Sequence, residues 1–318
     1  MTLVAYALRR IAAIIVILAI LSLLVFGLLA LMPGDPALTL LGPKAATPEA
    51  LAAVRARYGL DDPFLVQYWH WISGAVRGDF GVSIYSGSQV TTLIGDRVGV
   101  TAWLAVYALV LTVLAAVPLG LAAGMRTGRR VDRAATAVSL VSLSAPTFAV
   151  GFLLIYVFAV TLDLFPSFGS GDGFADTLWH MTLPAITLAA SQFAVLQRQT
   201  RAATMDVAER DYVTFARARA IGRGRIWNRY ILRNAGLPVL TSAGLLLAYG
   251  LTGAVLVENV FALQGLGVLL VTSVAQLDLP VVQGLAMFTA LLVLVTNLVV
   301  DLLYFALDPR LRRAAVAA

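Results

Sequence analysis

The stretch RRIAAIIVILAILSLLVFGLLAL, residues 9–31, places two arginines before 21 residues that carry no charge. About 20 apolar residues, at ~1.5 Å each along a helix, cross the ~30 Å hydrocarbon core of a bilayer. The run exceeds the apolar core of a secretory signal, about 7–15 residues. No small-x-small cleavage pattern follows it. Residues 11–31 therefore read as an uncleaved first membrane span.

The rest of the chain repeats this pattern. Of 318 residues, 60% are apolar and 13% charged, against about 25% charged in soluble domains. Five further apolar runs read as spanning helices over residues 98–124, 134–162, 178–197, 237–257 and 281–307. The expected fold is an all-α integral membrane protein with six transmembrane helices. Its parts are a short N-terminus with the first span (1–32), an external helical cap (33–97), and a five-helix core (98–318). The core carries a basic loop at 198–236 and a C-terminal tail.

Charge orients this layout. With the N-terminus in the cytoplasm, 18 of the 23 Lys and Arg fall on cytoplasmic segments. Eleven of the 17 acids fall outside, and Asp301 sits within the last span. An excess of basic residues on the cytoplasmic side is the usual bias of membrane proteins, so both termini are expected there.

The cap is not a linker. Asp35-Pro36, Thr47-Pro48 and Asp62-Pro63 each pair a capping residue with a proline, the expected start of a helix. Gly59 would end the middle helix. Leu51, Val54 and Tyr58 share one face of it, and Val66, Trp69 and Ile72 one face of the next. With Tyr68 and Trp71 nearby, the cap either packs on the membrane helices, lies in the membrane interface, or offers a docking surface to an extracellular partner.

Several chemistries are excluded. There is no cysteine, hence no disulfide or thiolate metal site. The histidines, His70 and His180, lie far apart, so no metal centre is expected. The single lysine, Lys44, follows Pro43 and not the glycine of a phosphate-binding loop. No HExxH, GxSxG or paired intramembrane carboxylates occur. The chain reads as non-catalytic. The bias toward cytoplasmic arginine, with anionic lipid heads as its partner, explains the positive charge without nucleic acid.

Polar residues inside the spans have two uses: hydrogen bonds between helices, or the lining of a water-filled pathway. The pathway candidates are Ser142, Ser144, Gln192, Thr241, Tyr249 and Asn297. Asp301 is a candidate for an ion pair anchoring the last helix, with Arg310 two turns on, or for a gating role. The gating role would fit an ion-coupled secondary transporter, and a membrane scaffold is a third class. Gly120 and Gly124 have the spacing of close helix packing.

The longest basic segment contains ARARAIGRGRIWNRYILRNAGLP, residues 216–238, with six arginines. It reads as a helix over 207–220, a break at Gly222-x-Gly224, and a second helix over 226–233 that stops before Gly236 and Pro238.

Asp211-Tyr212-Val213, Ala216-Arg217-Ala218-Arg219, Leu232-Arg233-Asn234-Ala235 and Leu237-Pro238 resemble the cytoplasmic EAA-type coupling loop of ABC importer permeases. The closest likeness is to the B-type permease of dipeptide and oligopeptide (peptide/nickel) importers. It extends to Pro33-Gly34-Asp35-Pro36, Tyr58-Gly59-Leu60-Asp61 and Gly78-Asp79-Phe80-Gly81-Val82-Ser83. It continues through Glu258-Asn259-Val260-Phe261, Gly265-Leu266-Gly267, Pro280-Val281-Val282-Gln283-Gly284, Val300-Asp301-Leu302-Leu303-Tyr304 and Asp308-Pro309-Arg310. Their common order and spacing, over nearly the whole chain, make the likeness specific. Two departures stand out. The family's loop glycine falls on Ala220, two residues before Gly222, and Thr214-Phe215-Ala216 stands where the general motif has Glu-Ala-Ala.

The resemblance implies a type I ABC importer permease in a bacterial cell membrane. It implies a homologous C-type permease as partner, two cytoplasmic ATPase subunits (separate or fused) that bind ATP and magnesium, and an extracytoplasmic peptide-binding protein. The chain itself would hold no cofactor. The coupling helix would be residues 211–222, with Asp211, Tyr212, Ala216, Arg217, Ala218, Arg219, Ala220 and Gly222 engaging the ATPases. The cap and the 258–279 loop would face the binding protein, through Asp79, Trp69, Glu258 and Gln264.

Overall fold

The computed structural model describes residues 3–30, 47–58 and 61–307. The helix start expected at Asp35-Pro36, the stop at Gly59 and the pairing role of Arg310 lie outside these residues. Among the described residues every extended element is a helix, and the one β feature is an isolated bridge between Val82 and Gln89.

The first helix, α1, spans Leu3–Ala30. Next is α2, Pro48–Tyr58, opened by Thr47, whose Oγ1 accepts the Ala50 N–H at 3.2 Å, as the Thr-Pro pair predicts. Helix α3, Phe64–Val76, departs from expectation. Pro63 occupies the cap position with no side-chain bond, and Asp62 contributes only its carbonyl, which accepts Gln67 Nε2 at 2.8 Å. Helix α4 runs Val90–Met125, starting well before the apolar run does.

The third expected span is not one rod. Helix α5, Arg130–Ser144, and α6, Thr147–Leu154, continued by a π-helical turn Ile155–Thr161, meet at 100°. Pro146 disfavours helical backbone in the residue before it, and Ala145 is extended, ψ 121°. Helix α7, Phe174–Ala208, holds the fourth expected span. After it come α8, Asp211–Ala218, and α9, Arg223–Ile226 with a π-helical turn Trp227–Leu232. The expected stop before Gly236 and Pro238 is absent, because helix α10, Arg233–Val260, passes through both. Proline lacks the backbone donor that would reach the carbonyl four residues back; around it, Asn234 Nδ2 donates to the Tyr230 carbonyl at 2.6 Å, and Ser242 Oγ to the Pro238 carbonyl at 3.0 Å. Helices α11, Leu266–Ala275, and α12, Leu279–Leu307, complete the chain.

Among the described residues four helices are long and apolar enough to cross a membrane, and the bent α5–α6 pair makes a fifth span if taken together. Helix α7 has 35 residues but is less apolar. Its buried side chains include Thr187, Gln192, Gln197, Thr200 and Thr204. The three threonine hydroxyls donate to the carbonyls four residues back at 2.7–2.9 Å, and Gln197 Oε1 accepts Ser139 Oγ at 2.6 Å, while Gln197 Nε2 is buried without a partner.

The described residues form two compact units, one within residues 1–10, 100–264 and 293–318, the other within 11–99 and 265–292. In the first, Leu104 and Ala108 of α4, Met181, Leu183 and Leu188 of α7, and Val257 and Phe261 from the end of α10 form a buried core. In the second, Val90 and Ile94 of α4, Leu266 and Leu269 of α11, and Val281 and Leu285 of α12 form another.

The Gly120–Gly124 spacing does what its form suggests. A Cβ on Gly120 would stand 2.7 Å from the Gln197 carbonyl oxygen and 2.6 Å from Thr200 Cβ. One on Gly124 would stand 2.7 Å from both the Arg201 carbonyl oxygen and Thr204 Cβ. Helices α4 and α7 thus touch backbone to backbone over a full turn, which only glycine permits.

Candidate functional site

Helix α8 sits on the arginine-rich side of the chain and is short because it is bounded twice. Asp211 opens it, with a negative charge at the positive end of the helix. At its far end the Ile221 N–H donates to the Ala216 carbonyl at 3.1 Å and the Ala220 N–H to the Arg217 carbonyl at 3.0 Å. That pair of bonds is a Schellman stop, whose left-handed residue is usually glycine. Here it is Ala220, at φ +55°, while Gly222 does not adopt positive φ. The left-handed turn therefore lies at the position where the resembling family has its loop glycine.

One face of α8 is an anchor. Val213 and Ala216 are buried with Val207, Ile226, Ile231 and Ala235, and Ile221 packs against them. Ala216 is thus a packing residue. The opposite face is open: Asp211, Arg217, Ala218, Arg219, Ala220 and Gly222 are exposed. Tyr212 is stacked on Tyr230 with ring centres 6.3 Å apart. Phe215, missed in the sequence reading, is 69% exposed. Its signal was available, since it interrupts the Glu-Ala-Ala pattern with a large aromatic side chain. The base of the platform is tied by Arg210, whose guanidinium meets Asp206 at 2.8 Å.

The pathway candidates separate. Thr241 and Tyr249 lie on an exposed stripe of α10 with Leu245, Thr252, Leu256 and Asn259, which mixes polar and apolar side chains along its length. Gln192 is enclosed, 5% exposed. Its Nε2 occupies the space left by Gly250, where a Cβ would stand 2.9 Å away. Its Oε1 is buried without a hydrogen-bond partner. Ser142 and Ser144 end α5 beside the 100° bend, and Asn297 is half-buried on α12.

Three acids of the helical core and turns are paired. Asp301 pairs with Arg10 of α1 at 2.9 Å. This ion pair joins the last helix to the first. Asp132 is buried and receives Arg201 Nε at 2.5 Å and Nη2 at 2.9 Å, with the Gly128 N–H at 2.8 Å. In the second unit Asp278, also buried, accepts Ser83 Oγ at 2.5 Å and the Ile84 N–H at 3.1 Å. It pins the turn that follows α3.

Of the residues expected to face a binding protein, Asp79 and Gln264 are exposed, and Asp79 Oδ1 accepts the Gly81 N–H at 2.9 Å. Trp69 is 67% exposed. Glu258 is fully buried and accepts Thr101 Oγ1 at 2.6 Å, so its carboxylate faces protein. Apolar neighbours in sequence carry no sign of this burial, because the helix that holds it extends past the expected end of the span. Among the described residues no cluster of three metal-ligating side chains occurs.

Comparison with known proteins sets this geometry in context. Residues 116–313 match the family described as binding-protein-dependent transport system inner membrane component. Residues 3–105 match its N-terminal counterpart, binding-protein-dependent transport system membrane component, N-terminal. The chain is 37% identical over 310 residues to the probable peptide ABC transporter permease protein y4tP of Sinorhizobium fredii (strain NBRC 101917 / NGR234), covering 96% of this chain and 99% of that one. It is 40% identical over 307 residues to the glutathione transport system permease protein GsiC of Escherichia coli (strain K12), covering 96% and 98%. It is 39% identical to the protein of the same name from Salmonella typhi, over the same shares.

Proposed function

Because the chain belongs to the family of binding-protein-dependent transport system inner membrane components, we propose that it is one permease subunit of an ATP-driven importer of short peptides. With a second, homologous permease it forms the pathway. An extracytoplasmic binding protein delivers the peptide, and two ATPase subunits, separate or fused, bind ATP and magnesium on the arginine-rich side. That side is the cytoplasm, by the distribution of Lys and Arg. The chain performs no chemistry of its own.

The observation that carries the coupling role is the form of α8. A buried apolar anchor of Val213 and Ala216 supports an open face of Tyr212, Phe215, Arg217 and Arg219. An exposed aromatic flanked by arginines is the composition of an interface hot spot. When the ATPases close, they push on this face, and the anchor transmits the push to α9 and α10, whose residues it packs against. The left-handed turn at Ala220 is the pivot. Peptide passes along the α10 stripe, where Thr241, Tyr249, Thr252 and Asn259 offer hydrogen bonds between apolar steps. Asp79 and Gln264 meet the binding protein. Peptide as the substrate class rests on the names of the relatives; glutathione is itself a tripeptide.

Reconstitution tests this reading. The chain, its partner permease and their ATPases are placed in liposomes with the binding protein outside, and uptake of a labelled tripeptide is followed. Uptake is expected only with ATP and binding protein present. Flux through the chain alone, driven by an ion gradient, would overturn it in favour of a secondary transporter.

A further inference from the structure

Helix α3 carries no Asp, Glu, Lys or Arg in its 13 residues, and it is bounded by Asp61, Asp62 and Arg77. None of its residues is buried. At 3.6 residues per turn its side chains form three stripes. Phe64, Tyr68 and Trp71 make the first and pack around Phe26 of α1, with ring centres 5.3, 5.6 and 5.6 Å away. Leu65, Trp69 and Val76 make the second, 71%, 67% and 83% exposed. Gln67, His70 and Ser73 lie on the remaining side, with Val66 among them, 39% exposed.

The contact with α1 sets a depth. Ser22 Oγ lies 2.8 Å from the Tyr68 hydroxyl and donates to the Ala19 carbonyl at 2.8 Å. Counting ~1.5 Å per residue from Arg10, Ser22 stands about 18 Å into a hydrocarbon core of ~30 Å. Phe26 stands about 6 Å further on. The side of α3 that touches α1 is therefore below the membrane surface. The α1 residues at the same level, Ile20, Leu24 and Leu28, are themselves exposed.

We propose that α3 is a half-embedded helix, its Leu65, Trp69 and Val76 stripe covered by lipid acyl chains in the leaflet next to residue 30. The geometry favours lipid over protein as the occupant. The stripe is continuous in depth with an apolar helix surface, it contains no charge for a partner to recognise, and the polar stripe lies on the side away from it. That is the division expected of a helix lying in a membrane interface. An embedded α3 holds the turn that follows it, residues 78–89, at the membrane surface. Trp69 is thereby a lipid anchor and not a contact for the binding protein.

The absence of cysteine in the chain makes the test direct. Leu65→Cys, Trp69→Cys, Val76→Cys and His70→Cys are made singly and labelled with a nitroxide. Each is measured in the assembled transporter in lipid nanodiscs, with cysteine-free partner subunits and with the binding protein added. The readout is collision with oxygen, which partitions into lipid, against collision with a water-soluble nickel chelate. Labels at 65, 69 and 76 are expected to meet oxygen several-fold more than nickel, and the label at 70 the reverse. Nickel access at 65, 69 and 76 places the stripe in water and overturns the proposal. Shielding from both agents places it under a protein subunit and overturns it equally. Neither result bears on ATP-driven uptake, which the reconstitution above tests separately.

Discussion

The crossing of α4 with α7 and the short helix α8 belong to the same unit and are built in opposite ways. At the crossing, Gly120 and Gly124 let one backbone rest on another, and the facing Thr200 and Thr204 turn their hydroxyls back to their own helix. The contact is closed by shape, with no exposed group on either threonine. In α8 two small apolar residues are buried and most of the rest is open, including an aromatic ring that is 69% exposed. A contact that must not move is closed by shape, whereas a contact that must accept a partner is anchored narrowly and left uncovered.

Substitutions can break each half of this contrast. Gly124→Leu drives a side chain into the Arg201 carbonyl and Thr204, and overpacking against backbone is expected to cost more than about 4 kcal/mol. Loss of monodisperse protein in detergent is the readout, and a well-folded variant would show that the helices separate easily. Arg201→Met leaves Asp132 buried without its partner, a loss of about 3 kcal/mol, read as a lower midpoint in thermal unfolding. Asp132→Asn combined with Arg201→Met should recover part of it. Ala220→Gly removes the left-handed penalty on a Cβ and is expected to stabilise α8 by about 1 kcal/mol, measured by slower amide exchange at Arg219 to Ile221. Phe215→Ala, on the open face, should change the unfolding midpoint by no more than about 0.5 kcal/mol. A large shift would mean that Phe215 is packing, not docking.

Much of this was legible from residues alone. Apolar runs located the long helices, the Thr47-Pro48 pair located a helix start, the glycine spacing located a crossing, and Asp301 was expected in an ion pair. The misses have physical causes. The 100° bend follows from Pro146 acting on Ala145, but proline inside a span can also be absorbed, as Pro238 is in α10. Only the tertiary surroundings separate the two outcomes. Arg10 was not expected to meet Asp301 because 291 positions separate them in the chain. Burial of Glu258, Asp132 and Asp278 depends on Thr101, Arg201 and Ser83, which stand 157, 69 and 195 positions away. In α3 the face read from the sequence was Val66, Trp69 and Ile72, but the packed stripe is Phe64, Tyr68 and Trp71, leaving Trp69 outward. An aromatic-rich helix with apolar side chains on two stripes gives no sign of which one faces the protein.

The most direct measurement of a transmission role for α8 is the ratio of peptide taken up to ATP hydrolysed in the reconstituted transporter. It compares the native chain with a Phe215→Ala, Arg219→Glu double variant whose insertion and unfolding midpoint are unchanged. The expected result is ATP hydrolysis that no longer responds to the peptide-loaded binding protein, with uptake per ATP reduced at least tenfold, a coupling loss of about 1.4 kcal/mol or more. Unchanged uptake per ATP in the inserted variant would contradict the assignment of α8 as the element through which the ATPases move this permease.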